Sequence, residues 1–111
     1  MDGHKLTRTA ALSLELHRAT LPYLSTDWPA VQRIVRANLD LMLRRPRAEI
    51  ARGWIREWEE ALERGPEALA AVAMTPGERG DDLRQMTPLA GVLPQDVRLD
   101  VIQRVRGHAA A

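Results

Sequence analysis

Apolar residues recur along this chain at helical rather than strand spacing. Alternation of period two is confined to Leu12, Leu14 and Leu16, inside a segment whose flanks favour helix. The pattern predicts a first helix over about residues 5–20, with Leu6, Ala10, Leu14 and His17 on one stripe and Leu12 and Leu16 widening it. Pro22 is expected to end it, because the residue before a proline is pushed out of the helical region. Ser25, Thr26 and Asp27 offer an N-cap, and Pro29 falls in the first turn of a second helix, where its missing N–H costs nothing. That helix, about residues 27–44, carries Val31, Ile34, Val35, Asn38, Leu39 and Met42 on one face and is the clearest element of the chain.

Pro46 breaks the run. A third helix then places Ile50, Trp54, Trp58, Ala61 and Leu62 on its core side and Arg56, Glu60 and Glu63 on its outer face, and Gly65 supplies a left-handed stop. A short fourth helix, about residues 66–74, turns Leu69, Val72 and Ala73 inward. Thr75-Pro76-Gly77-Glu78 has capping-box spacing, with Thr at the cap and Glu at N3, and predicts the start of a fifth. An ordered connector over about residues 87–94 leads to a last helix, about residues 94–106, with Val97, Val101, Ile102 and Val105 inward until Gly107. The expected fold is all-α: a compact bundle of five to six helices with mixed crossing angles, one domain over residues 1–111 with frayed ends at 1–4 and 107–111.

Composition narrows the function classes. A chain of 111 residues buries roughly two thirds of its unfolded surface, enough for one core and against an elaborate enzyme cleft. The absence of cysteine excludes a disulfide framework, a thiolate nucleophile and thiolate metal sites. No run reaches the 18 or more apolar residues of a membrane span, and residues 1–14 lack the pattern of a secretory signal. A soluble cytoplasmic protein is expected, without a membrane association. The net charge of +1 hides a polarity: residues 1–47 sum to +4 and residues 48–92 to −4. Fifteen of the 16 basic residues are Arg, a bias that with the many alanines fits a GC-rich bacterial genome.

Chemistry is sparse. His4, His17 and His108 do not share a helical face at metal-ligand spacing, and His17 on its apolar stripe reads as a hydrogen-bonded histidine at the edge of the core. Ser13 and Ser25 have no nucleophile-elbow context, and Gly77 and Gly80 are followed by no phosphate-binding Lys. Asp81 and Asp82 read as helix-start acids. No catalytic residue, cofactor, metal site or small-molecule substrate is therefore expected. The strip Arg33, Arg36, Arg44, Arg45 and Arg47 is a candidate interaction surface, able to meet phosphates if the partner is DNA, though Asp40 interrupts it. A helix-turn-helix built on Ala73 and Gly77 would carry Asp81 and Asp82 toward phosphate. Trp54 and Trp58 read as core, whereas Trp28, beside Pro29 at a helix start, is the candidate for a partly exposed anchor. A binding or regulatory protein follows, with a protein partner or a second copy of itself, and DNA binding through the second helix as the alternative.

The stretch Leu83-Arg84-Gln85-Met86-Thr87-Pro88-Leu89-Ala90-Gly91-Val92-Leu93, with Ala37-Asn38-Leu39, Trp58-Glu59 and Gly65-Pro66-Glu67-Ala68-Leu69, resembles short, poorly characterised helical proteins of high-GC bacteria. The resemblance implies a partner in a small regulatory or toxin–antitoxin-type operon, hence an antitoxin-like role. Physically, the same stretch reads as a plug: Thr87 forms a side-chain turn, Gly91 takes positive φ, and Leu89, Val92 and Leu93 enter the core.

Overall fold

The computed structural model describes residues 7–110, the side chains of 108–110 excepted, and six helices make up most of that stretch. They are α1 (Arg8–Thr26), α2 (Trp28–Leu43), α3 (Glu49–Arg64), α4 (Pro66–Ala73), α5 (Gly77–Gln85) and α6 (Gln95–Ala110), with no strand among the described residues. The fold is an all-α bundle. His4 and Leu6 lie outside the described residues.

α1 is the organising element and packs against α2, α4, α5 and α6. It runs through Pro22, contrary to the sequence expectation. The proline sits at an exposed position, where losing one N–H is cheap, and the turn beyond it contributes Leu24, 1% exposed, to the core. The Ser25 and Thr26 hydroxyls turn back to donate to the Pro22 carbonyl, so they close α1 instead of capping α2. Asp27 separates the two helices without a side-chain cap, and Pro29 occupies the first turn of α2 as expected.

α2 and α3 form an antiparallel hairpin, tied where Arg36 meets Glu59 at 3.5 Å. Val31, Val35 and Leu39 of α2 meet Ile55, Trp58, Ala61 and Leu62 of α3 in the core. The stripe on α3 thus begins later than its spacing suggests. Ile50 is 66% exposed because it lies in the first turn, beside the connector, where no other element covers it. Gly65 ends α3 at φ +122° and lets Pro66 open α4 at once.

The α4–α5 turn is made differently from the capping box its sequence suggests. The Thr75 hydroxyl points back to the Ala71 and Val72 carbonyls, and Pro76 stands at the cap of α5. Helix α5 begins at Gly77, so Glu78 is its first-turn acid and Asp81 and Asp82 lie within it. What brings α5 against the turn is Gly80: a Cβ there would sit 1.6 Å from the Thr75 carbonyl oxygen, a place no other residue can occupy. Arg84 fills the space behind it, 3% exposed, donating to the Ala73 and Thr75 carbonyls at 3.0 and 2.8 Å and to Asp81 at 3.0 Å. Its Nε is buried without a partner.

The connector carries Leu89 and Val92 into the core and Gly91 takes φ +93°, as the sequence suggested, whereas Leu93, also expected there, stays half-buried outside it because it faces the surface between α1 and the connector. α6 then returns along α1, burying Val101, and continues past Gly107 instead of stopping there.

Candidate functional site

Two surfaces of this bundle are shaped for something other than its own packing. The first is the tip of the α2–α3 hairpin. Among the described residues four large apolar side chains are strongly exposed, and three of them, Leu41 (57%), Leu43 (48%) and Ile50 (66%), fall within ten positions of one another around this tip. Leu41 and Leu43 lie off the buried stripe of α2, which runs through Val31, Val35 and Leu39. Exposed among them are Arg44, Arg45 and Arg52, with Glu49 the one acid between residues 41 and 52. Arg47 is half-buried and its Nε–H donates at 3.1 Å to the Met42 carbonyl, which also accepts the Arg45 N–H, and so ties the connector to the end of α2.

The strip of arginines expected along α2 is thus divided. Arg36 is held by Glu59 and Arg47, in the connector, by the end of α2, while Arg33, Arg44 and Arg45 are exposed with no ion pair among the described residues. Trp28 is half-buried and packs against the core at the other end of α2 from the tip. Trp58 is fully buried and its indole N–H donates to the Leu83 carbonyl at 2.9 Å, whereas Trp54 is half-buried at the rim of the core. The spacing that paired the two tryptophans did not separate these roles.

The second surface is a groove of about 460 Å³ between α1, the connector and the start of α6. Thr9, Leu12, Ser13, Leu16, His17 and Thr20 line it from α1, at the i, i+3, i+4 spacing of one helix face. Leu89, Ala90, Gly91 and Leu93 form the facing wall, and Gln95 and Arg98 stand where α6 begins. The volume lies in the range of roughly 300–1,000 Å³ common to small-molecule sites. It is obtained at the surface, between elements, and so requires no larger core than the chain length allows.

At the groove's floor is a polar seam. His17 Nδ1–H donates to the Ser13 carbonyl at 2.7 Å, which leaves Nε2 as the acceptor for the Thr87 hydroxyl at 2.8 Å. Thr87 Oγ1 in turn accepts from the Leu89 N–H at 3.1 Å, the side-chain turn its sequence suggested. From the opposite side Asn38 donates to the Pro88 and Ala90 carbonyls at 2.7 and 2.9 Å. Burial holds the His17 imidazole below its ordinary range, aided by the charge of Arg84 and opposed by the bond to Ser13. The ring therefore stays neutral, as its acceptor role requires. It also lies beside Trp58, with ring centroids 6.3 Å apart.

Among the described residues no three His, Asp or Glu side chains come close enough to hold a metal ion, and no helix is long and apolar enough to cross a membrane. Comparison with family models, curated proteins and solved structures finds no match for this chain.

Proposed function

We propose that the chain is a binding module that docks an acidic, partly apolar segment of a protein partner on the tip of the α2–α3 hairpin. The observation that carries this reading is the exposure of Leu41, Leu43 and Ile50, together with Arg44, Arg45 and Arg52, at the end of the hairpin where α2 passes into α3. Single exposed leucines need no explanation, but several large apolar residues exposed in one stretch among mostly basic residues, with Asp40 and Glu49 the acids beside them, fit an interaction surface. Arg is enriched at interfaces, and the excess positive charge selects an acidic partner and disfavours a second copy of the same corner. The resemblance of the connector sequence to small regulatory proteins supports the same class, in which the partner is encoded in the same operon and the role is antitoxin-like.

DNA binding through α2 is the alternative, favoured by the exposed and unpaired Arg33, Arg44 and Arg45. Asp40 stands one turn before Arg44, and α5, the second helix of any helix-turn-helix, exposes Glu78 and carries Asp81 and Asp82. The acids in α5 weigh against the groove-reading geometry.

The test is capture from extract of the source cells with the wild type and with Leu41→Asp/Ile50→Asp, alongside titration with duplex DNA at low salt. Loss of one abundant acidic protein from the variant eluate supports the reading. Tight duplex binding whose salt dependence flattens by about two to three units on replacing Arg33, Arg44 and Arg45 with Gln would replace it with the alternative.

A further inference from the structure

Two polar residues of α1 are buried while two of its leucines are not. Its polar His17 and Thr20 are buried at 5% and 3% exposure, while Leu12 and Leu16 stay half-exposed along the groove, facing Leu89 and Leu93. Departures of this kind from the rule of apolar burial mark places where a fold serves something besides itself. The facing wall is fixed in place, Thr87 by its bond across the floor to His17 on α1, and Pro88 and Ala90 by Asn38 of α2. A wall fixed in advance lowers the ordering cost of whatever enters.

Two features define the occupant. From Thr9 to Thr20 the lined face extends about 16 Å along α1, at about 1.5 Å per residue. That length and a volume of about 460 Å³ suit a single extended chain. The second feature is charge. Arg98 is the one charged residue among those lining the groove, it is exposed, and it makes no ion pair among the described residues; Asp100 on the same helix is engaged by Arg104. We propose that the groove binds a single-chain aliphatic anion, its tail against Leu12, Leu16, Leu89 and Leu93 and its head group at Arg98. The site stands apart from the hairpin tip and does not depend on what binds there.

Calorimetric titration with decanoate, decyl phosphate and decanol, each below its aggregation threshold, tests this with a methyl-resolved NMR titration on the same samples. Saturable binding of either anion is expected, with shifts concentrated at the Leu12, Leu16, Leu89 and Leu93 methyls; the tighter of the two identifies the head group. Arg98→Gln should weaken the anions about tenfold and leave decanol unchanged. Ala90→Phe, at an exposed position on the wall, should abolish binding without disturbing the fold. The proposal is overturned if neither anion binds saturably, if both variants bind like the wild type, or if the shifts fall elsewhere. It is equally overturned if sedimentation shows a dimer that Ala90→Phe separates, since the groove would then hold a second copy.

Discussion

The α4–α5 corner and the α2–α3 tip use the same residue type to opposite ends. At the corner Arg84 is buried, its guanidinium spent on two backbone carbonyls and Asp81, and Gly80 closes the remaining space. At the tip Arg44 and Arg45 point into solvent beside exposed leucines, with only Arg47 turned back onto the chain. A buried cation that satisfies carbonyls fixes the path of the backbone but offers nothing to a partner. An exposed one beside apolar surface contributes little to folding and is available for recognition. The polarity of charge along the sequence conceals this division, because a count treats Arg84 and Arg44 alike.

If the corner is structural, its variants should be the most damaging in the molecule. Trp58→Ala should cost about 3–5 kcal/mol, since it empties a fully enclosed site and removes the indole bond to the Leu83 carbonyl, while Trp54→Ala should cost less than half as much; denaturant titration of both compares them. Gly80→Ala drives a methyl into a backbone carbonyl and should cost about 3 kcal/mol or more by the same measurement. Arg84→Met keeps the apolar stem but removes the donors for Ala73 and Thr75, and a loss of about 2–4 kcal/mol is expected. A near wild-type Arg84→Met protein would erase the contrast with the tip.

The seam beneath the groove sharpens the comparison through pH. His17 is neutral in the fold and its pKa lies below the ordinary 6.5, so between the two values the unfolded chain takes up a proton that the folded chain refuses. Stability should therefore be level above about pH 7 and fall as pH drops below 6.5, by at most about 1.4 kcal/mol per pH unit for one proton. His17→Gln should remove that part of the slope, as read from thermal melts at a series of pH values.

Much of this architecture was legible in the sequence, and its failures share one cause. α2 was plain because its stripe faces the core along its whole length, and the connector's turn was plain because Thr87 and Gly91 act locally. α1 outran Pro22 because Leu24, beyond the proline, has a buried site waiting for it in tertiary contact. Ile50 continues the spacing of Trp54 and Trp58 yet is exposed, because periodicity describes one helix and not how far its neighbour extends. Thr75 could cap forward or bond backward with equal local ease, and the approach of Gly80 to its carbonyl accompanies the backward choice. For the candidate surfaces the signal lay in residues off the stripes, Leu41 and Leu43 on α2 and Leu12 and Leu16 on α1. The seam joining His17, Asn38 and Thr87 spans residues too distant in sequence to be paired by spacing.

The smallest expected effect on stability belongs to the tip. Leu41→Asp/Ile50→Asp alters two exposed positions and should shift the folding free energy by less than about 0.5 kcal/mol. That variant also provides the most direct test of the central claim, that the tip is present for a partner. The measurement is the amount of acidic partner captured per folded molecule, with the folded fraction read from the same sample by far-ultraviolet dichroism. The account predicts a helix signal and melting transition like the wild type, with capture lost. Capture at the wild-type level from a fully folded variant, or loss of capture together with loss of fold, would contradict it.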